Sequence, residues 1–197
     1  FVQRYQNSDI PWDTGITPPE IVQVVKELTP GKALDIGCGT GTNVRYLLER
    51  AWQADGIDFV SQAVEAARLK LASFPQESYR IHRWDVTLLD RCPGLRSPYH
   101  LIIDIGCGHG FTGAQQVKYA RDVAAQLAAG GTLMLYAHRP TPERDFGWTP
   151  DEVKGLFEPH LLIVWQALSE DSSSGSPAGW YRLTRTERNG STCQPRM

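Results

Sequence analysis

A chain of 197 residues with 41% hydrophobic and 21% charged side chains has enough apolar material for one core and too much to remain disordered. Its formal net charge of −2 provides no cationic excess for a polyanionic backbone, so nucleic acid is not expected as a partner. No apolar run approaches the ~20 residues of a membrane span, and the opening Phe1 to Asn7 has neither a basic start nor an apolar signal core.

Taken in chain order, Thr17-Pro18-Pro19-Glu20 reads as a capping Thr, a Pro at the first helical position and a Glu three residues after the cap. Ile21, Val24, Val25 and Leu28 follow on one helical face. Lys32 to Gly37 is a short buried strand, and Val44, Leu47, Leu48 and Ala51 trace a second helix. Ala54 to Phe59 is the next strand, followed by a helix from Ser61 to about Ser73 carrying Val64, Ala67 and Leu71 on one face and stopped by Phe74-Pro75. Tyr79 to Trp84 and Tyr99 to Ile105 form two more strands. Val117, Ala120, Ala124 and Leu127 mark a helix, and Thr132 to Ala137 a fifth strand.

Thr149-Pro-Asp-Glu152 repeats the capping pattern before Val153 to Phe157. Leu161 to Leu168 and Trp180 to Arg185 then read as a hairpin around a polar Ser-rich loop, and Thr186 to Met197 as an irregular tail. Strands alternating with helices imply an α/β domain with a mostly parallel sheet.

Two turns stand out, Asp35-Ile-Gly-Cys-Gly-Thr-Gly41 and Asp104-Ile-Gly-Cys-Gly-His-Gly110, identical at six of seven positions. Each follows a strand, which predicts neighbouring walls of one crevice at the carboxyl edge of the sheet. In the first, a dinucleotide fingerprint would need its third glycine at position 42, where Thr42 stands, so a nicotinamide-dependent oxidoreductase fails on glycine spacing. An acid two residues before the first glycine suits a ligand with a cationic group, and the helix N-terminus beyond suits a carboxylate. The amino acid end of S-adenosylmethionine has both. Asp58 stands at the end of the second strand, where an acid can accept from both hydroxyls of a ribose. Asp85, with apolar Val86, ends the third and suits an adenine.

These motifs, together with Leu127-Ala-Ala-Gly-Gly-Thr132, resemble those of the class I S-adenosylmethionine-dependent methyltransferases over nearly the whole chain. The resemblance implies a Rossmann-like three-layer sandwich with sheet order 3-2-1-4-5-7-6 and the last strand antiparallel. It implies that Asp35, Gly37, Cys38, Gly39, Thr40 and Gly41 line the methionine part, that Asp58, flanked by Phe59, holds the ribose, and that Asp85 and Val86 hold the adenine. Asp104 and Ile105, ending the fourth strand, complete the set.

Pro11-Trp12-Asp13-Thr14-Gly15 with Pro18 and Pro19 resembles the start of bacterial small-molecule methyltransferases and of the thiopurine and thiol/halide branch. Residues 1–30 would then be an arm and helix over the cofactor, 31–185 the methyltransferase domain and 186–197 the tail. Trp12 would cover the sulfonium, a cation that suits an aromatic face; its alternative is a packing role under the first helix.

Methyl transfer from a sulfonium needs alignment and exclusion of water rather than a metal. If the acceptor must lose a proton, His109, which follows the fourth strand beside the methyl group, is the best-placed base, with Asp104 a second catalytic candidate; the alternative for His109 is a structural His bonded to a turn carbonyl. Tyr136, His138 and Arg139 are second-line walls. Cys38, Cys107 and His109 lack the spacing of a zinc site, and Arg80, His82 and Arg83 read as a solvated face. The four cysteines form no C-x-x-C pair, which points to a reduced, cytoplasmic compartment. The expected protein is a monomeric or homodimeric enzyme that methylates a compact small molecule, yields S-adenosylhomocysteine and uses no metal. The alternative is a cofactor-binding, catalytically silent relative.

Overall fold

The strands are built on a period of two, and that period sorts the core. In the computed structural model, which describes residues 13–171 and 174–186, β1 (Lys32–Ile36) turns Ala33 to one face and Leu34 and Ile36 to the other. β4 (Tyr99–Ile105) does the same with Leu101 and Ile103 against Ile102. β2 (Gln53–Asp58), β3 (Tyr79–Arg83) and β5 (Leu127–His138) complete the parallel part, and β6 (Leu162–Glu170) and β7 (Pro177–Thr184) form the hairpin. The order is β3-β2-β1-β4-β5-β7-β6, with β7 antiparallel to both β5 and β6. This is the topology that the resemblance implied.

Helices α1 (Pro19–Glu27), α2 (Thr42–Leu48) and α3 (Ser61–Leu71) cover one face, burying Ile21, Val24 and Val25, then Val44, Leu47 and Leu48, then Val64, Ala67 and Leu71. Helices α4 (Ala114–Gln126) and α5 (Pro150–Phe157) cover the other with Tyr119, Ala120, Val123, Val153 and Phe157. Chain direction across the sheet reverses between β1 and β4, the place where open α/β sheets bind ligands. Among the described residues, no helix is long and apolar enough to cross a membrane.

Four local readings are corrected. Thr17 does not cap α1: the helix starts at Pro19, with Pro18 at the N-cap at φ −57°, ψ 147° and no side-chain bond. A residue that precedes Pro is pushed out of the helical region, so Pro19 forces Pro18 to stay extended and Thr17 stands one residue too far away. Thr149 precedes a single Pro and does form the predicted capping box with Glu152. Ala51 lies beyond α2 in an exposed turn at φ 61°. Val117 is 59% exposed, because the inward stripe of α4 runs through Gln116, whose Oε1 accepts from the Trp148 indole N–H at 3.0 Å. Leu127 caps α4 and already opens β5, five residues earlier than Thr132. Trp12 and the tail from 187 onward lie outside the described residues.

Candidate functional site

At the carboxyl end of β1 the chain must turn sharply and let a ligand approach. Gly37, Gly39 and Gly41 all take positive φ, of 70°, 53° and 80°, a region that side chains with a Cβ avoid. A Cβ on Gly37 would stand 2.9 Å from the Cβ of Cys107, and one on Gly41 3.1 Å from that of Ala67. The two look-alike turns are therefore in contact, as neighbouring walls.

Asp35 is 1% exposed and its Oδ2 has no hydrogen-bond partner. Burial first, then the charges of Asp104 and Asp58, push its carboxyl up to about 8 against a bond with Asn43. A buried acceptor without a donor is costly, and a cation placed against it would remove that cost. Asp58 accepts from the Gly39 and Val60 amides at 3.0 and 2.8 Å, through Oδ2 and Oδ1 respectively. It thereby ties the first turn to the end of β2, and burial raises its pKa.

Thr40 donates to Asp13, Thr42 donates to Asp13 at 3.2 Å, and the Lys70 ammonium donates to both threonines, at 2.5 and 3.1 Å. This network joins the arm to the turn. Thr40 and, within the arm motif, Asp13 belong to motifs of the sequence, but their link through Thr42 and Lys70 was not legible there, since polar residues scattered over three elements carry no local pattern.

Asp85 caps the short 3-10 turn Val86–Arg91 by accepting from the Thr87 amide and hydroxyl, both at Oδ1. Beside it lies a cavity of about 320 Å³ lined by Phe59, Arg83, Trp84, Asp85 and Leu88. Phe59 and Leu88 are exposed although apolar, and the Trp84 ring is pinned by its N–H to the Leu88 carbonyl at 2.9 Å. Val86 is buried beneath. A planar base with an exocyclic amine has both an apolar wall and a carboxylate here. From β1 to β3 the strand ends thus carry, in order, the buried carboxylate of Asp35, that of Asp58, and an apolar slot beside the carboxylate of Asp85. The donor set fits S-adenosylmethionine.

On the other side, Asp104 is fully buried and its carboxylate is occupied: Oδ1 accepts from the Cys107 amide at 2.8 Å, and Oδ2 accepts from the Gly108 amide at 3.0 Å and the Tyr119 hydroxyl at 2.6 Å. Burial nonetheless raises it to about 6. It shapes the second turn, and Ile105 follows half-buried against the α1–α3 core.

His109 is 6% exposed; its Nδ1 accepts from the His138 amide at 3.3 Å and its ring packs on Phe146 and His138 at 5.7 and 5.2 Å. Burial, His138 and Arg144 lower its pKa to about 4, against a bond to the Tyr136 backbone. Tyr136 donates to Asp171 of the hairpin loop at 2.6 Å. Arg144, over the Phe146 ring at 4.9 Å, rather than Arg139, stands against this cluster. Trp148 is a core residue whose amide bonds the His138 carbonyl and closes the loop after β5. Among the described residues, no group of three His, Cys, Asp or Glu could hold a metal ion.

The chain is similar to known proteins in both sequence and fold. Residues 34–133 match the family model described as a methyltransferase domain. A probable thiol methyltransferase 2 of Arabidopsis thaliana is 35% identical over 192 residues, covering 91% of this chain and 80% of that protein. A 2-heptyl-1-hydroxyquinolin-4(1H)-one methyltransferase of Mycobacteroides abscessus is 25% identical over 126 residues, 64% of this chain and 54% of that protein, so the chain spans about half that relative's length. In fold, the chain superposes with a TM-score of 0.79 on the Burkholderia thailandensis 1,6-didemethyltoxoflavin-N1-methyltransferase with bound S-adenosylhomocysteine, at 18% identity, covering 95% of this chain and 86% of that one. The matched domain, the homologues and the sheet order together place the chain in the methyltransferase-domain family, as a class I S-adenosylmethionine-dependent small-molecule methyltransferase.

Proposed function

We propose that the chain transfers the methyl group of S-adenosylmethionine to the sulfur of a compact small molecule. The observation that carries the donor half is the unpartnered Oδ2 of buried Asp35 beside the first Gly-rich turn. Bound there, the donor supplies a methyl group already activated on a sulfonium.

The chain's own residues then have three tasks. Asp35 takes the ammonium, directly or through water. Asp58 keeps the Gly39 amide in place and turns its remaining lone pairs to the ribose hydroxyls, while Asp85, Phe59 and Trp84 hold the base. Cys38, Thr40, Gly39 and Gly41 form the backbone cradle, with Thr40 braced by Asp13 and Lys70. His109, Phe146 and His138 exclude water from the acceptor side. No metal has a task in this scheme.

Sulfur as the acceptor atom is supported by the Arabidopsis thaliana relative, whose name is that of a probable thiol methyltransferase and whose identity extends over 91% of this chain. The test is label transfer from methyl-labelled S-adenosylmethionine to a panel of thiols, phenols, amines and halides, with Asp35→Asn alongside. Loss of one desolvated, charge-assisted contact predicts donor affinity down by about 2 kcal/mol. Full activity in Asp35→Asn would contradict the donor placement, and binding of the donor with no transfer to any of the panel would favour the catalytically silent alternative.

A further inference from the structure

Resting on that reading, we propose that Arg144 is the specificity-determining residue of the acceptor side. It receives the acceptor as an anion that solvent has already deprotonated, and no described side chain there removes the proton.

Four observations lead to this. The Arg144 guanidinium lies over the Phe146 ring at 4.9 Å and makes no ion pair with a described residue. Phe146 is 42% exposed and stacks on His109, which belongs to the turn in contact with the donor turn. Of the carboxylates on this side, Asp104 is engaged by Cys107, Gly108 and Tyr119, and Asp171 by Tyr136 and both donors of Ser174, while Glu143 and Asp145, which flank Arg144 in the chain, form no ion pair with a described residue. Nδ1 of His109 already accepts from the His138 amide and the ring also bonds the Tyr136 backbone, so the imidazole is engaged within its own wall, and Nδ1 of His138 is enclosed without a partner.

The charges that reach these groups are Arg144 on His109, His138 and Tyr136, Asp171 on His138 and Tyr136, and Glu20 of α1 on Tyr136. Burial and Arg144 hold both imidazoles below their ordinary value. An alkyl thiol titrates at about 8.5, so at neutral pH solvent ionises it far more readily than a His109 held near 4 could. On this proposal His109 serves as a neutral wall of the acceptor side rather than as a base.

In the transfer, the thiolate sulfur gives its lone pair to the methyl carbon, and the pair of the broken carbon–sulfonium bond stays on the donor sulfur. An anion and a cation become two neutral sulfides, and the proton has left to solvent beforehand. Because the acceptor's charge fades on the way to the transition state, Arg144 stabilises bound anion at least as much as transition state. Its removal should therefore raise KM more than it lowers kcat.

The experiment compares thiophenol, largely ionised at neutral pH, with 2-mercaptoethanol, which is not, across a pH series in the full chain, Arg144→Gln, His109→Gln and Glu20→Gln. In parallel, thiophenol is titrated calorimetrically into the S-adenosylhomocysteine complex. Arg144→Gln should raise KM and the calorimetric Kd about tenfold and leave kcat within about threefold. The rising limb of kcat/KM should follow each thiol's own ionisation and keep its position in the His109 and Glu20 variants. A limb shared by both thiols and lost in His109→Gln or Glu20→Gln, an Arg144→Gln effect on kcat alone, or methylation of neither thiol by a chain that still binds S-adenosylhomocysteine would each overturn the proposal while the donor reading stands. Loss of S-adenosylhomocysteine binding by the unmodified chain would sink both.

Discussion

Asp58 shows how one residue can serve fold and site together. It was expected from its place at the end of β2 to hold a ribose, yet it also accepts from the Gly39 and Val60 amides. Asp58→Ala leaves two largely buried donors without an acceptor, which predicts a loss of about 1 to 3 kcal/mol in stability besides weaker donor binding. Urea titration of the ligand-free variant checks it; an unchanged midpoint would mean that those amides find other acceptors. Asp35 and Asp58 were legible from the sequence because each ends a strand next to a recognisable turn. Arg144, Phe146 and the Lys70 brace were not, because their roles arise from contacts between elements distant in sequence.

At the scale of elements, the two Pro-led helix starts make a controlled comparison. Similar tetrapeptides gave opposite outcomes, and the difference is the second proline at position 19. Thr149→Ala should remove the α5 box and cost about 1 kcal/mol, read as a lower thermal midpoint, whereas Thr17→Ala has no cap bond to lose. Equal costs for the two would contradict the assignment of the caps. The strands and their order were legible from the alternation of apolar runs and glycine turns. The phase of α4 was not, because apolar counting ignores Gln116, an inward polar residue whose partner, Trp148, comes from a loop 32 residues away in the chain.

For the whole molecule, the buried carboxylates set a pH dependence. The Asp35 pKa, ordinarily 3.8, is raised to about 8 by burial, so between those values the folded chain holds a proton that the unfolded chain has lost, and stability falls as pH rises. Asp104, raised to about 6, acts in the same direction over a lower range, and His109, lowered from 6.5 to about 4, acts in the opposite one. Above pH 6.5 Asp35 is left as the main contributor. The ligand-free chain should lose up to about 1.4 kcal/mol per pH unit between 6.5 and 8, and Asp35→Asn should flatten that slope. A slope unchanged by the substitution would assign the effect elsewhere.

The central claim is that the cleft at the ends of β1, β2 and β3 is built for a ligand whose cation meets Asp35. Calorimetric titration of the chain with S-adenosylmethionine, S-adenosylhomocysteine and NAD at pH 7, repeated in two buffers of different ionisation enthalpy, tests it most directly. Both sulfur ligands should bind and release close to one proton per site as Asp35 ionises, and NAD should give no heat. Binding of NAD, or no binding by either sulfur ligand, would contradict the account.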